Sequence, residues 1–309
     1  MGYTVPEYMP KPGKGDISPL NESNRAPELR EALPGAASST GLDATVFDYC
    51  AGELRTYDAD RFFACLLAPP APRRALLALY AFNLEIAKTR ETVSEPMLGQ
   101  IRLQWWREAL DGIYAGSPRE HAVVQALNVA VRDYRLSRAA FDEMIEGRER
   151  DLEDTPPLSV DDVLSYASAT SGALNCLAGE VLGTDNSTSL RESGIAYAVT
   201  GLVRAIPFHA GQGRSWLPGL PAHAVFKGAQ NIADQAAELV EAAETCRHAA
   251  LADIGSLPKL ARLACLPLAT CRADLSCLRR AAFDPFNVRY AGPLPRRFKM
   301  LGAYWMGRF

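Results

Sequence analysis

Apolar side chains recur every three to four residues through most of this sequence, and strand-like alternation is scarce. In the stretch 94–116, for example, Leu98, Ile101, Trp105 and Ala109 fall on one face of a helix. This spacing is typical of an amphipathic helix that buries one face. The sequence therefore predicts an all-α fold, a single-domain helical bundle in which most helices share a common core.

Helix boundaries can be read at several points. Ser94 is the predicted N-cap of the helix in 94–116, with Pro96 in its first turn. Ser159 and Asp162 have the spacing of a capping box ahead of a second helix. That second helix is rich in Ala, Gly and Ser, so we expect another helix to pack closely against it.

Composition divides the chain into three parts. Residues 1–43 are rich in Pro, Gly, Ser and Ala, and we expect a disordered N-terminal extension there. Residues 44–290 form the predicted helical domain, and residues 291–309 a basic amphipathic C-terminal helix. No run approaches the roughly 18 apolar residues that span a bilayer, and no signal peptide is evident. Seven scattered cysteines indicate reduced thiols. We therefore expect a cytoplasmic protein.

The C-terminal part is basic although the net charge of the chain is −3. Between Lys259 and Phe309 there are ten Lys and Arg but two acids, about +8. This asymmetry suggests an anionic partner, either lipid headgroups or an acidic protein, and the alternative is a basic face that is merely solvated. The final helix adds an apolar stripe with basic residues beside it, which predicts peripheral binding to the inner face of the cytoplasmic membrane. The alternative is a last helix packed on the body. The stripe comprises Leu294, Phe298, Leu301, Trp305 and Phe309, and the basic residues are Arg296, Arg297, Lys299 and Arg308.

Several common chemistries have no motif in this chain. There is no Gly-rich phosphate loop, no H-E-x-x-H and no paired C-x-x-C, and four histidines show no ligand spacing. No nucleic-acid partner is expected, because the basic residues cluster at one end without a recognised binding motif.

Four stretches, in the right order, resemble the squalene/phytoene synthase family of head-to-head isoprenoid synthases. They are DRFFACLLAPPAPRRALLALYAF, EPMLGQIRLQWWREALDGIYAG, IEGRERDLEDTPPLSVDDVLSYASATSGALNCLAGEVLG and GLVRAIPFHAGQGRSWLP, and the resemblance covers residues 45–285. It implies an isoprenoid-synthase-type helical bundle around a central cavity. In that family two aspartate-rich motifs face each other across the cavity and hold Mg²⁺, which neutralises the substrate diphosphate.

The positions of the first motif, D-D-x-x-D, read Ala, Lys, Thr, Arg and Glu at 87–91. Only Glu91 keeps a carboxylate, and Lys88 and Arg90 reverse the sign of the site. The positions of the second motif, R-D-x-x-x-D, begin with Arg204 but replace both aspartates, the last by His209.

Further departures surround the second motif. Pro207 would break or kink its helix. The Gln and Asn that the family carries upstream correspond to Ala198 and Gly201. The resemblance therefore implies that both metal clusters are lost, so we expect no catalytic residue, no metal ligand and no cofactor.

The stretches YAFNLEIAKTRE, GRERDLED and GLVRAIPFHA resemble a branch of the family that includes a mitochondrial respiratory complex I assembly factor. The leading hypothesis is a non-catalytic assembly or binding factor. One alternative is a prenyltransferase that condenses isoprenyl diphosphates to a squalene- or phytoene-like product, and only then would Mg²⁺ be expected. Another is a lipid-binding carrier. The candidate partners are an isoprenoid or lipid ligand, a respiratory-complex subunit and an anionic membrane surface.

Seven residues are candidates for a retained cavity or ligand site. They are Tyr80, Phe82, Glu85, Glu91, Arg204, His209 and Arg214.

Each candidate also has a structural interpretation. Tyr80 and Phe82 would then be core, and Glu85 and Glu91 would pair with Lys88 or Arg90 at helical spacing. Arg204 and Arg214 would pair with Asp151 or Glu149. His209 would be an ordinary buried histidine rather than a proton-transfer group.

Overall fold

The computed structural model describes residues 39–93, 95–185, 188–307 and 309. Within these ranges the chain forms fifteen α-helices and no strand, which confirms the predicted all-α class. The helices are α1 (Ser39–Tyr57), α2 (Ala59–Leu66), α3 (Pro70–Ala87), α4 (Thr89–Thr92), α5 (Pro96–Tyr114), α6 (Ala122–Tyr134), α7 (Arg138–Glu149), α8 (Val160–Ala167), α9 (Ala173–Val181), α10 (Thr188–Arg204), α11 (Ile206–Gly211), α12 (Ala222–Phe226), α13 (Ile232–Asp253), α14 (Leu268–Arg280) and α15 (Pro293–Met306).

Most of the predicted N-terminal extension, residues 1–38, lies outside the described residues, and α1 begins at Ser39 rather than at 44. The predicted cap Ser94 also lies outside them. The predicted capping box is confirmed, because the Ser159 hydroxyl accepts from the Asp162 amide and the Asp162 carboxylate accepts from the Ser159 amide. The break at Pro207 is confirmed as well, since α10 ends at Arg204 and a new helix starts at Ile206.

Two hydrophobic clusters form the interior. The first is built mainly by α1, α3, α5, α6, α7 and α9, and the second mainly by α8, α10, α11, α13 and α14. In the first cluster Phe82 lies edge-on to both Trp106 and Phe141, with ring centroids 5.3 Å apart in each pair. Such aromatic pairs add to the burial of apolar surface that stabilises the bundle.

The helix α10 crosses very close to the chain between α8 and α9. A Cβ atom placed on Gly194 would lie 2.3 Å from the carbonyl oxygen of Ser171, well inside van der Waals contact. Residues 168–172 form a π-helical segment at this crossing. The close packing expected of this small-residue helix is therefore observed, and glycine is required at position 194.

A buried polar network, here called the seam, connects the two clusters. Arg61 donates to Asp58 (2.9 Å) and to the Ser171 hydroxyl (2.7 Å). Its guanidinium also lies over the rings of Tyr80 in the first cluster and Tyr197 in the second. The charge of Arg61 is thus matched inside the protein, as burial of an ion requires.

The seam continues to the last helix. The Tyr197 hydroxyl donates to Asp60, and Asp60 also accepts from Arg296 of α15 at 2.6 Å. The same nitrogen of Arg296 also donates to the Thr270 hydroxyl, and the other terminal nitrogen donates to Asp274 of α14. This arginine is only 6% exposed. The prediction that it lies on an exposed basic flank is therefore wrong, because buried Asp274 and partly buried Asp60 hold it inside.

The apolar residues of the α15 stripe also differ in their exposure to solvent. Phe298 and Trp305 are exposed, whereas Leu301 and Phe309 are partly buried, the latter against the first cluster. Arg308 lies outside the described residues. The face of α15 that carries Arg296 is packed on the body, as the alternative interpretation held. Among the described helices, none is long and apolar enough to cross a membrane.

The seven cysteines are all free thiols. Cys265 and Cys271 are buried, as expected of small core residues, and Cys277 is half-buried. Burial raises the pKa of the Cys265 and Cys271 thiols to about 12, so both remain protonated and inert near neutral pH.

Candidate functional site

The positions of the first motif run from the end of α3 into α4, and the two cations there pair with carboxylates from other parts of the chain. The Lys88 ammonium donates to Glu53 of α1 at 2.6 Å and lies 3.6 Å from the ring centroid of Tyr57. The Arg90 guanidinium donates to Asp154 at 3.0 Å. Both cations are therefore held by this chain's own carboxylates.

Glu91, the remaining carboxylate of the first motif, faces the segment after the second motif. Its Oε1 lies 4.0 Å from Nη2 of Arg214. Arg214 is nearly buried and donates to the Gln212 side chain at 2.8 Å. The structure thus brings the two motif regions together, with a cation opposite the one carboxylate.

His209 occupies the last position of the second motif, and its imidazole is 2% exposed. Neither ring nitrogen has a hydrogen-bond partner among the described residues. Burial, together with the nearby charge of Arg214, lowers the pKa of His209 from 6.5 to about 3. The imidazole is therefore neutral at physiological pH and offers one donor and one acceptor.

Arg204, the first position of the second motif, is turned toward the seam. Its Nη1 lies 3.4 Å from Oδ2 of Asp274, and its guanidinium lies over the Tyr290 ring at 5.2 Å. Asp274 is the carboxylate that also binds Arg296. Arg204 therefore shares a structural ion-pair cluster with the C-terminal helix.

A shallow depression of about 10 Å³, room for about one water molecule, lies beside Arg214 and is open to solvent. Trp216 lines it, and the Trp216 ring packs on Tyr166 with centroids 4.2 Å apart. The Tyr166 hydroxyl donates to Asp151, and Arg148 donates to that hydroxyl and to Asp151. Burial raises the pKa of Tyr166, so the phenol keeps its proton and can donate to Asp151.

The seven candidate residues therefore separate into groups. Glu91, His209 and Arg214 lie in one region, where the two motif segments meet. Glu85 instead pairs with Arg102 of α5 at 2.7 Å, and Tyr80 is buried under the Arg61 guanidinium.

Phe82 lies in the first hydrophobic cluster, and Arg204 belongs to the seam. The expected pairing of Glu85 and Glu91 with Lys88 or Arg90 is not what the structure shows. The expected pairing of Arg204 and Arg214 with Asp151 or Glu149 is also replaced, since Asp151 binds Arg148 and Glu149 binds Arg107.

Sequence reasoning missed the buried cations Arg61, Arg148 and Arg296 and their carboxylates. The stretch GRERDLED did contain a signal, since an arginine and an aspartate three residues apart on one helix can pair. Asp58 and Arg61 have the same spacing. The contacts of Arg296, 236 positions from Asp60, have no local signal in the sequence.

The region does not fit a Mg²⁺ cluster. Mg²⁺ takes carboxylate and phosphate oxygens with water, and it is repelled by neighbouring cations. Here Glu91 is accompanied by Lys88, Arg90 and Arg214, and the imidazole of His209 is a poor ligand for this ion. Among the described residues, no group of three or more His, Cys, Asp or Glu side chains lies close enough to share a metal.

The fold and the motif segments define a class of protein. The family model for squalene/phytoene synthase matches residues 54–301, and the chain belongs to that family. A dehydrosqualene synthase in complex with ligand superposes with a TM-score of 0.74 at 16% identity, covering 86% of this chain and 98% of that one. The squalene synthase HpnC from Alicyclobacillus acidocaldarius gives 0.70 at 18% identity, covering 81% and 98%. These identities establish the shared isoprenoid-synthase fold alone.

Curated relatives within the family carry two kinds of name. The Bos taurus protein "NADH dehydrogenase (ubiquinone) complex I, assembly factor 6" is 32% identical over 203 residues, 63% of this chain and 60% of the relative. Its Homo sapiens counterpart is 30% identical over 197 residues, 62% and 58%. The 15-cis-phytoene synthase of Synechocystis is 27% identical over 217 residues, 63% of each chain. The match thus spans about three fifths of the length of the assembly factors.

Proposed function

We propose that this chain is a non-catalytic member of the squalene/phytoene synthase family that serves as an assembly or binding factor for a respiratory complex. The relatives named as complex I assembly factors support this direction, at 30–32% identity against 27% for the phytoene synthase. The client would be a subunit of a complex of the NADH dehydrogenase type.

The observation that carries the proposal is the state of Lys88. A diphosphate-cleaving site needs carboxylates here to recruit Mg²⁺. Lys88 instead brings an ammonium group that is bonded to Glu53 and stacked on Tyr57. The position is thus built into an internal ion pair, which gives the same scaffold a structural role at this point.

The residues packed around Tyr80 also support a non-catalytic role. The face of α3 that carries Tyr80 is covered by Arg61, and Arg61 is fixed by Asp58 and Ser171. A buried, paired guanidinium is a costly neighbour for a long apolar chain, because the ion pair would have to be broken or left partly unpaired. An isoprenoid or lipid ligand would therefore bind away from this face of α3.

The proposal is tested by removing the gene from its own cell and measuring the assembled respiratory complex on native gels. Loss of the chain should lower the amount of the assembled NADH dehydrogenase complex. Reintroduction of the wild type and of the Glu91→Ala variant should restore it equally, because Glu91 has no metal to hold. A normal level of complex in the deletion strain would contradict the proposal.

The second candidate, a prenyltransferase, is favoured by the phytoene synthase relative and by the two synthase structures that share the fold. It would need a way to neutralise diphosphate without carboxylate-bound Mg²⁺. In the same deletion strain it predicts a missing squalene- or phytoene-like product, with the respiratory complex unchanged. Extraction and chromatography of the membrane lipids distinguishes the two candidates.

A further inference from the structure

Neither of the two acids in residues 259–309 contributes an exposed negative charge to α14 or α15, because Asp274 is buried and Asp284 lies between the two helices. Asp274 is buried between Arg296 and Arg204. Asp284 binds the Asn287 side chain. The surface of α14 and α15 is therefore left with cations whose charge the segment itself does not balance.

Four exposed cations on these two helices have no carboxylate within ion-pair distance among the described residues. They are Arg272, Arg280, Arg297 and Lys299. A fifth, Arg279, is neutralised by Glu241 and Glu244 of α13. Unpaired cations that share one face of a protein attract an anionic partner, and the attraction falls as salt is added.

The same face exposes large apolar side chains. On α15, Leu294 is 64% exposed, Phe298 71%, Trp305 74% and Met306 66%. A groove between α14 and α15 is bordered by Phe298 and Met306 on one side and by Arg272 and Arg280 on the other. Exposed aromatic and aliphatic side chains beside basic ones are typical of helices that lie in a lipid–water interface.

We propose that this face of α14 and α15 docks on an anionic lipid bilayer. The helix α15 would lie along the surface, with Phe298 and Trp305 among the headgroups and the cations on lipid phosphates. The charge complementarity and the mixture of exposed Trp, Phe, Leu and Met point to lipid rather than to an acidic protein. An acidic protein would complement the cations but would not need four large apolar groups left in water.

The docking face is rigid and preformed, because α15 is fixed to the body. Arg296 binds Asp60 and Asp274, and Met300 and Ala303 are buried beneath the helix. A free amphipathic tail would have to fold on the membrane, whereas this helix carries its apolar side outward already. Binding therefore places the whole bundle in one orientation on the bilayer, without release of the C-terminal helix.

The test is flotation of the full chain with vesicles of phosphatidylcholine in which the fraction of phosphatidylglycerol is raised stepwise. The wild type should float with anionic vesicles at low salt and lose binding as salt rises. Each of Arg272→Gln, Arg280→Gln and Lys299→Gln should weaken binding about fivefold, the equivalent of about 1 kcal/mol per basic residue. Trp305→Ser should weaken it on the order of tenfold, through lost apolar burial.

Matched controls come from another part of the surface. The side chain of Phe226 is 70% exposed, a fraction close to that of Phe298, and the next residue, Lys227, is also exposed. Phe298→Ser should therefore weaken binding, whereas Phe226→Ser and Lys227→Gln should leave it unchanged. Thermal unfolding of every variant should match that of the wild type, since all these side chains are exposed.

Three outcomes would overturn the proposal. The first is a folded wild type that ignores anionic vesicles at low salt. The second is binding that the α14 and α15 substitutions do not weaken more than the controls do. The third is an oligomer in gel filtration that Phe298→Ser dissociates, together with no vesicle binding, which would make this face an interface between copies of the chain.

Discussion

His209 is a buried imidazole with no described hydrogen-bond partner, and its protonation should control the acid stability of the protein. Its pKa in the folded chain, about 3, lies below the 6.5 of a free imidazole, so the unfolded chain binds the proton more tightly. The stability that neutral His209 contributes is therefore complete above pH 6.5 and is lost as the pH falls toward 3. The expected slope is about 1.4 kcal/mol per pH unit for one proton.

The His209→Leu variant should lose that slope, since it has nothing to protonate. The measurement is the free energy of unfolding in urea, determined at intervals from pH 7 down through this window. His223→Gln serves as the control, because His223 is exposed. Equal slopes for the wild type and His209→Leu would show that the His209 imidazole is able to accept a proton in the folded state.

At the level of single residues, the sequence shows which side chain occupies each motif position, but it does not show which partner that side chain binds. The replacement of the motif carboxylates, at Lys88 and His209 for example, is visible in the letters alone. The pairing of Lys88 with Glu53 could not be predicted from the sequence, because it depends on how α1 packs beside α3. Arg204 illustrates the same limit, since its partner Asp274 is 70 positions away in sequence.

At the level of helices, the crossing of α10 at Gly194 depends on the absence of a side chain. Gly194→Ala would place a methyl group 2.3 Å from the Ser171 carbonyl oxygen, and that atom belongs to backbone that cannot rotate away. We expect a loss of about 3 kcal/mol in the free energy of unfolding, the upper end for over-packing.

The matched control for Gly194→Ala is Gly52→Ala in α1, where an added Cβ meets nothing within 4 Å. This second substitution should stabilise the protein by about 0.5–1 kcal/mol, because alanine favours a helix over glycine. Urea unfolding of both variants gives the comparison. A Gly194→Ala variant as stable as the wild type would mean that the crossing is looser than described.

The attachment of α15 depends on Arg296. Arg296→Leu should cost about 3 kcal/mol, because partly buried Asp60 would lose its cation and buried Asp274 would keep only Arg204. Arg297→Leu, one position away and exposed, should change the free energy of unfolding by less than about 0.5 kcal/mol. Similar values for the two variants in urea unfolding would contradict the assignment of α15 to the folded body.

Helix positions could be predicted from the sequence because their signals are local. The capping box at Ser159 and Asp162, and the break at Pro207, involve residues a few positions apart. The burial of Arg296 could not be predicted in this way. In a helix that also carries Arg297 and Lys299, nothing nearby in the sequence distinguishes the arginine that turns inward.

For the molecule as a whole, the helical class could be predicted from periodicity, and the isoprenoid-synthase type from the resemblance of four segments. The division into two hydrophobic clusters with a charged seam between them could not. It requires Arg61, Asp60 and Arg296, which are far apart in the sequence, to meet between helices.

The decisive measurement for a non-catalytic scaffold is diphosphate release. The purified full chain is incubated with Mg²⁺ and farnesyl or geranylgeranyl diphosphate, beside a heat-denatured sample as blank and an active phytoene synthase as positive control. Because Glu91, the one carboxylate at these positions, faces Arg214 and has Lys88 and Arg90 beside it in the sequence, we expect no release above the blank. Release that disappears in the Glu91→Ala variant would contradict this and establish a prenyltransferase.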